Sequence, residues 1–132
     1  MSTIPQDLNW VQKRATCSAM QMFNELRKGI DDDVAVLNSL RNLPVDQRFG
    51  ADMTRDGSTV AVGQYGTAPH PRVLIGIVGD EIEVRDDTKQ SKWRAQVKLN
   101  YEGRCMLRLE DGTELEQWQF RKKALEGLFF GD

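Results

Sequence analysis

Val73-Leu-Ile-Gly-Ile-Val-Gly-Asp-Glu-Ile-Glu-Val-Arg85 decides the fold. Two apolar runs flank Gly79-Asp80, a dipeptide suited to a tight hairpin turn. That turn sets Ile77 opposite Ile82 and Ile75 opposite Val84. Downstream, the loop Asp86–Ser91 brings Val84 against Trp93 and Ile82 against Ala95. Tyr101-Glu102-Gly103 suits a three-residue hairpin loop and pairs Leu99 with Cys105, Val97 with Leu107, and Ala95 with Leu109. Upstream, Asp56-Gly57 places Arg55 opposite Ser58, Met53 opposite Val60, and Ala51 opposite Val62.

These turns test one another, because a one-residue slip would move every side chain to the wrong face. The inward set becomes Phe49, Met53, Val60, Val62, Val73, Ile75, Ile77, Ile82, Val84, Trp93, Val97, Leu99, Leu107 and Leu109. Outward lie Glu81, Glu83, Arg85, Arg94, Gln96, Lys98, Arg104, Arg108 and Glu110. The pattern predicts a six-stranded antiparallel meander with one buried face.

The first forty residues repeat at the helical period instead. Val11, Ala15, Ala19, Met22, Phe23 and Leu26 share one face of a predicted helix over Asp7–Lys28. Asn9 with Gln12 offers a capping box for it, and Gly29 a stop. A second helix is predicted at 32–42, with Asp31, Asp32 and Asp33 at its positive end and Leu43-Pro44 ending it. After the meander, Thr113-x-x-Glu116 reads as a capping box for a helix from about 114 to 129. Its apolar face would carry Leu115, Trp118, Leu125, Leu128 and Phe129. A seventh strand from Asp111-Gly112 through Trp118 would point Gln117 and Gln119 inward, which favours the helix.

The expectation is an α+β fold, a single domain over 1–132, with helices covering one face of a curved sheet. Helix-grip, cystatin-like and NTF2-like architectures have a similar element order, and this likeness implies nothing about function. The 132 residues, with 39% hydrophobic side chains, suffice for a core without a staple.

Charge excludes several functions. Eighteen basic against twenty acidic residues leave a net charge of -2, too small to collect nucleic acid or anionic lipid. Arg94, Lys98, Arg104 and Arg108 form a stripe, but Glu83 faces Arg94 and Glu110 is set against it as well. Trp93 and Tyr101 have the opposite parity, so they give that stripe no stacking platform. The longest apolar run, Val73–Val78, is far below a membrane span. Met1-Ser-Thr-Ile-Pro-Gln-Asp7 has neither a basic nor an apolar leader region. Cys17 and Cys105, far apart in sequence, read first as buried thiols of a cytoplasmic chain, with a disulfide between them as the alternative.

Catalytic motifs are sparse. His70, the one histidine, lies in Ala68-Pro69-His70-Pro71 between strands, with Tyr65 and Arg72 near it. These three are the candidate binding residues of the 64–72 loop, and an enzyme would have to use them. No nucleophile elbow accompanies them, and neither Cys-x-x-Cys nor His-Glu-x-x-His occurs, so no metal site, cofactor or catalytic set is assigned. Asp31–Asp33 diverge on a helix. Asp52–Gly57 imitates half an EF-hand loop but has Gly63 where a bidentate Glu belongs.

Leu74 and Val78 have outward parity, and Phe130 exceeds what one helical face buries. They are the candidate self-association surface. The leading expectation is a small cytoplasmic, non-enzymatic interaction domain that binds a protein partner or itself as a homodimer. A carrier enclosing an apolar small molecule between sheet and helices is the alternative.

Overall fold

The computed structural model describes residues 9–66, 70–88 and 90–131. Among these, seven strands pair in chain order, each antiparallel to the next. They are Phe49–Met53 (β1), Thr59–Gln64 (β2), Arg72–Val78 (β3), Glu81–Arg85 (β4), Ser91–Leu99 (β5), Cys105–Leu109 (β6) and Glu114–Leu115 (β7). Three α-helices accompany them: Trp10–Thr16 (α1), Ala19–Arg41 (α2) and Gln117–Phe130 (α3).

The predicted registers hold. Met53 faces Val60, Ile77 faces Ile82, Val84 faces Trp93, and Leu99 faces Cys105. Side-chain oxygens fix the connections by accepting from amides two residues on, the usual work of Asp and Asn in turns. The Asp56 carboxylate takes the Thr54 hydroxyl at 2.7 Å and the Ser58 amide at 3.1 Å. Asp86 takes the Thr88 amide and Asp111 the Thr113 amide, each at 2.9 Å. Gly79 adopts φ 63°, which the tight β3–β4 turn requires.

Beneath the inner face lies one core cluster that includes Phe23, Leu26, Ile30, Val60, Val62, Ile75, Ile82, Leu107 and Phe120. Met53 is an exception to the predicted inward set. It sits at the β1 end beside the turn and is exposed.

Helix boundaries differ from the predicted ones. Asp7–Lys28 and 32–42 are replaced by a short α1 and a continuous 23-residue α2. The break falls at Cys17-Ser18, where Ser18 Oγ accepts from the Gln21 amide at 3.1 Å. Asn9 makes no side-chain cap, and Val11 and Ala15 are exposed. Gly29 does not end the helix. It lets the Arg121 side chain lie where a Cβ would stand, so the two long helices approach closely. The three aspartates are therefore mid-helix, and Asp33 Oδ2 accepts from Arg121 Nε at 2.8 Å.

The C-terminal prediction also needs correction. Thr113 amide to Asp111 and Leu109 amide to Thr113 carbonyl close a turn, and β7 then adds a two-residue strand against β6. The capping box lies three residues later, with the Glu116 amide donating to Gln119 Oε1 at 2.8 Å. That start turns Phe120 into the core, where it meets Trp93 edge-on at 4.9 Å. Trp118 stays largely outside.

Cys17 and Cys105 are bonded to each other, not free thiols. Their Cα atoms lie 5.4 Å apart across 88 residues of sequence. Cys105 has inward parity beside Leu99, and the α1–α2 elbow brings Cys17 to that end of the sheet.

Candidate functional site

α2 and α3 lie side by side on the inner face of the sheet. Contacts climb both helices together, so they run parallel. Gln117 Nε2 donates to Glu25 at 3.1 Å, Arg121 binds Asp33, and Arg41 Nη2 donates to the Phe129 carbonyl at 2.6 Å. On α2 the buried stripe is Ala19, Met22, Phe23, Leu26, Ile30, Val34 and Leu37, the spacing of one helical face. On α3 it is Phe120, Leu125 and Phe129.

Beside that seam four large apolar side chains remain in solvent. Val36 is 57% exposed, Leu40 79%, Trp118 53% and Phe130 61%. They line one groove of about 380 Å³ whose floor is Leu37, Leu125 and Phe129. The rim carries Asp33, Arg121, Lys122 and Glu126. These charges are already matched, Asp33 with Arg121 and Lys122 with Glu126 at 3.1 Å. Arg41 lies over the Phe130 ring, 5.2 Å from its centre, and steadies that ring at the groove's end. The groove therefore has an apolar floor inside a polar rim whose charges sum to zero.

Of the expected self-association residues, Phe130 belongs to this groove. Leu74 and Val78 lie on the other side of the molecule, on the outer face of the sheet. Leu74 is buried there between Ala61 and Arg85, and Val78 is exposed at the β3 end opposite Glu81. The sequence pattern assigns nothing to Val36 and Leu40, and it puts Trp118 on the buried face of its helix, whereas the ring is 53% exposed. The i, i+4 pair Val36 and Leu40 off the buried stripe was the available signal.

Tyr65 and Arg72 are brought together, but over glycines. Tyr65 occupies the space above Gly50, and Arg72 the space above Gly63. Gly50 and Gly63 are cross-strand partners, so the two side chains lie adjacent on the outer face. An aromatic ring packed over an edge-strand glycine shields that backbone. His70 Nε2 lies against Gly66 on the same connection. Residues 67–69 of that loop lie outside the described residues.

The outer sheet face is polar but not fully solvated. Glu83, expected to point into water, is 5% exposed. Arg94 Nε donates to its Oε2 at 2.8 Å, and Arg85 Nε sits 3.5 Å from its Oε1. Arg94 also reaches Glu81 at 3.7 Å. One strand over, Arg108 binds Glu114 at 2.8 Å, which holds that carboxyl below the usual glutamate range. Among the described residues no group of three or more His, Cys, Asp or Glu could hold a metal ion, and no helix is long and apolar enough to cross a membrane.

The chain matches no family model, no curated protein and no solved structure.

Proposed function

We propose that the chain is a non-enzymatic interaction domain whose working surface is the α2–α3 groove, and that it associates with a second copy there. The observation carrying this reading is the convergence of Val36, Leu40, Trp118 and Phe130 on one groove. Elsewhere Trp10 and Val11 are exposed together on the short α1, and Val45, Tyr65 and Tyr101 singly on separate segments. Scattered exposure of that kind is ordinary, whereas a contiguous patch marks a contact. Two-fold dimers are the commonest closed assembly and require one self-complementary patch.

The carrier reading needs room between sheet and helices. Met22, Phe23, Leu26, Ile30 and Phe120 fill the middle of that space, each almost wholly buried, and a hollow of about 730 Å³ opens only at its end, among Ala19, Met20, Ile77, Val97 and Leu99. The cytoplasmic expectation rests in part on free thiols, and the Cys17–Cys105 disulfide removes that part of its support. We place the chain where such a bridge persists, outside a reducing cytosol.

Sedimentation equilibrium of the wild type against Leu40→Asp tests the reading. The wild type is expected to approach twice its chain mass as concentration rises, and the variant to remain at the chain mass. Its stability should stay within about 0.5 kcal/mol of wild type, since the site is exposed. A wild type that stays monomeric at millimolar concentration refutes self-association.

A further inference from the structure

We infer that the second copy docks in one register, with the two α3 helices antiparallel about a two-fold axis passing between Lys122 and Glu126. This inference rests on the self-association reading above. Trp118, Lys122, Glu126 and Phe130 recur every four residues, so they form a single ridge along α3. Each of them borders the groove.

The ridge is palindromic in chemistry. Trp118 and Phe130 lie equally far from Ala124 along the helix, on opposite sides, and Lys122 and Glu126 likewise. Antiparallel pairing about that midpoint opposes Trp118 to Phe130 of the second copy at both ends. In the middle it opposes Lys122 to Glu126 twice. Sliding the axis toward the helix start sets Lys122 against Lys122, and sliding it toward the end sets Glu126 against Glu126. A parallel arrangement opposes like to like throughout. Only the centred antiparallel register satisfies every position, so charge specifies it as it does in paired helices generally. The intrahelical Lys122–Glu126 pair is about half exposed and free to be shared across the axis.

Lys122→Glu and Glu126→Lys, made separately and then mixed, test the register. Each variant alone opposes like charges at both central contacts, and its dimer dissociation constant should rise at least tenfold. An equimolar mixture restores Glu against Lys at both contacts, and heterodimers should form with near wild-type affinity. Both chains in that mixture keep their intrahelical like-charge pair, so the recovery cannot come from a restabilised helix. Circular dichroism melts establish that each single variant is folded.

A wild type that does not self-associate overturns the parent reading. If the wild type dimerises but the single variants dimerise equally well, or the mixture recovers nothing, the register is wrong while self-association stands.

Discussion

The two outer surfaces of the molecule handle exposure in opposite ways. On the sheet's outer face, Arg94 and Arg85 fold over Glu83, Arg108 holds Glu114, and Tyr65 and Arg72 cover Gly50 and Gly63. On the helical face, the ion pairs stand at the rim and Val36, Leu40, Trp118 and Phe130 are left in water between them. The sheet face pairs its charges and covers its glycines, although Arg85 Nε makes no hydrogen bond, and the helical face pairs its charges but leaves its apolar area open. The difference lies in side-chain reach. Long arginines on the sheet ladder reach carboxylates on their own or the next strand, whereas the exposed apolar side chains beside the helix seam have no neighbouring element to cover them.

Phe120 and Trp118 give the sharpest way to break this comparison, since they are two residues apart on one helix. Phe120→Ala removes a fully buried ring that meets Trp93 edge-on and should cost about 3–5 kcal/mol in urea unfolding. Trp118→Ala should cost below about 1 kcal/mol and act on self-association instead. Equal destabilisation by both would mean that the helical face is part of the core and not open. Glu83→Gln probes the closed face. It leaves Arg94 and Arg85 without their shared counter-charge and should cost about 1–2 kcal/mol, reduced because Arg94 is half in solvent. A neutral result would make the sheet's charges as idle as ordinary surface pairs.

The smallest effect concerns the β1–β2 turn. The Thr54 hydroxyl, then the Ser58 amide and hydroxyl, lower the Asp56 carboxyl from 3.8 to about 2. A depressed folded-state pKa stabilises fully above the unfolded value and loses that contribution as pH falls through the folded one. The turn should therefore hold above pH 4 and weaken between pH 4 and 2. Carboxyl NMR of the folded protein should find Asp56 still ionised at pH 3. Half-protonation near 3.8 would dismiss the turn's hydrogen bonds.

The strand pairings were legible because each depends on a few adjacent residues. Asp56-Gly57, Gly79-Asp80 and Tyr101-Glu102-Gly103 fix partners locally, and the period of two propagates them. What went unread depends on residues distant in sequence. Gly29 reads as a helix stop until Arg121, arriving from α3, occupies the space it leaves. Phe120 and Trp118 are interchangeable by pattern, and only the position of the Glu116–Gln119 box decides which turns inward. Glu83 looks solvated until two arginines close over it. Of the groove, Phe130 was visible as aromatic excess at the tail, but Val36 and Leu40 show their purpose only once α3 lies beside them.

The Cys17–Cys105 bond makes the polypeptide a ring with two tails. In the chain-entropy picture, closing a loop of that length restricts the unfolded ensemble by roughly 4–5 kcal/mol. The ring contains α2 and β1 through β5, but α3 hangs on the outer tail, beyond Cys105. Covalent closure therefore secures one wall of the groove and not the other. The free wall is held without a covalent tie, by the buried Phe120, Leu125 and Phe129 and by the Gln117, Arg121 and Arg41 hydrogen bonds. A second copy clasping α3 would act on the segment that the bridge leaves untethered, and the two restraints would divide the molecule between them.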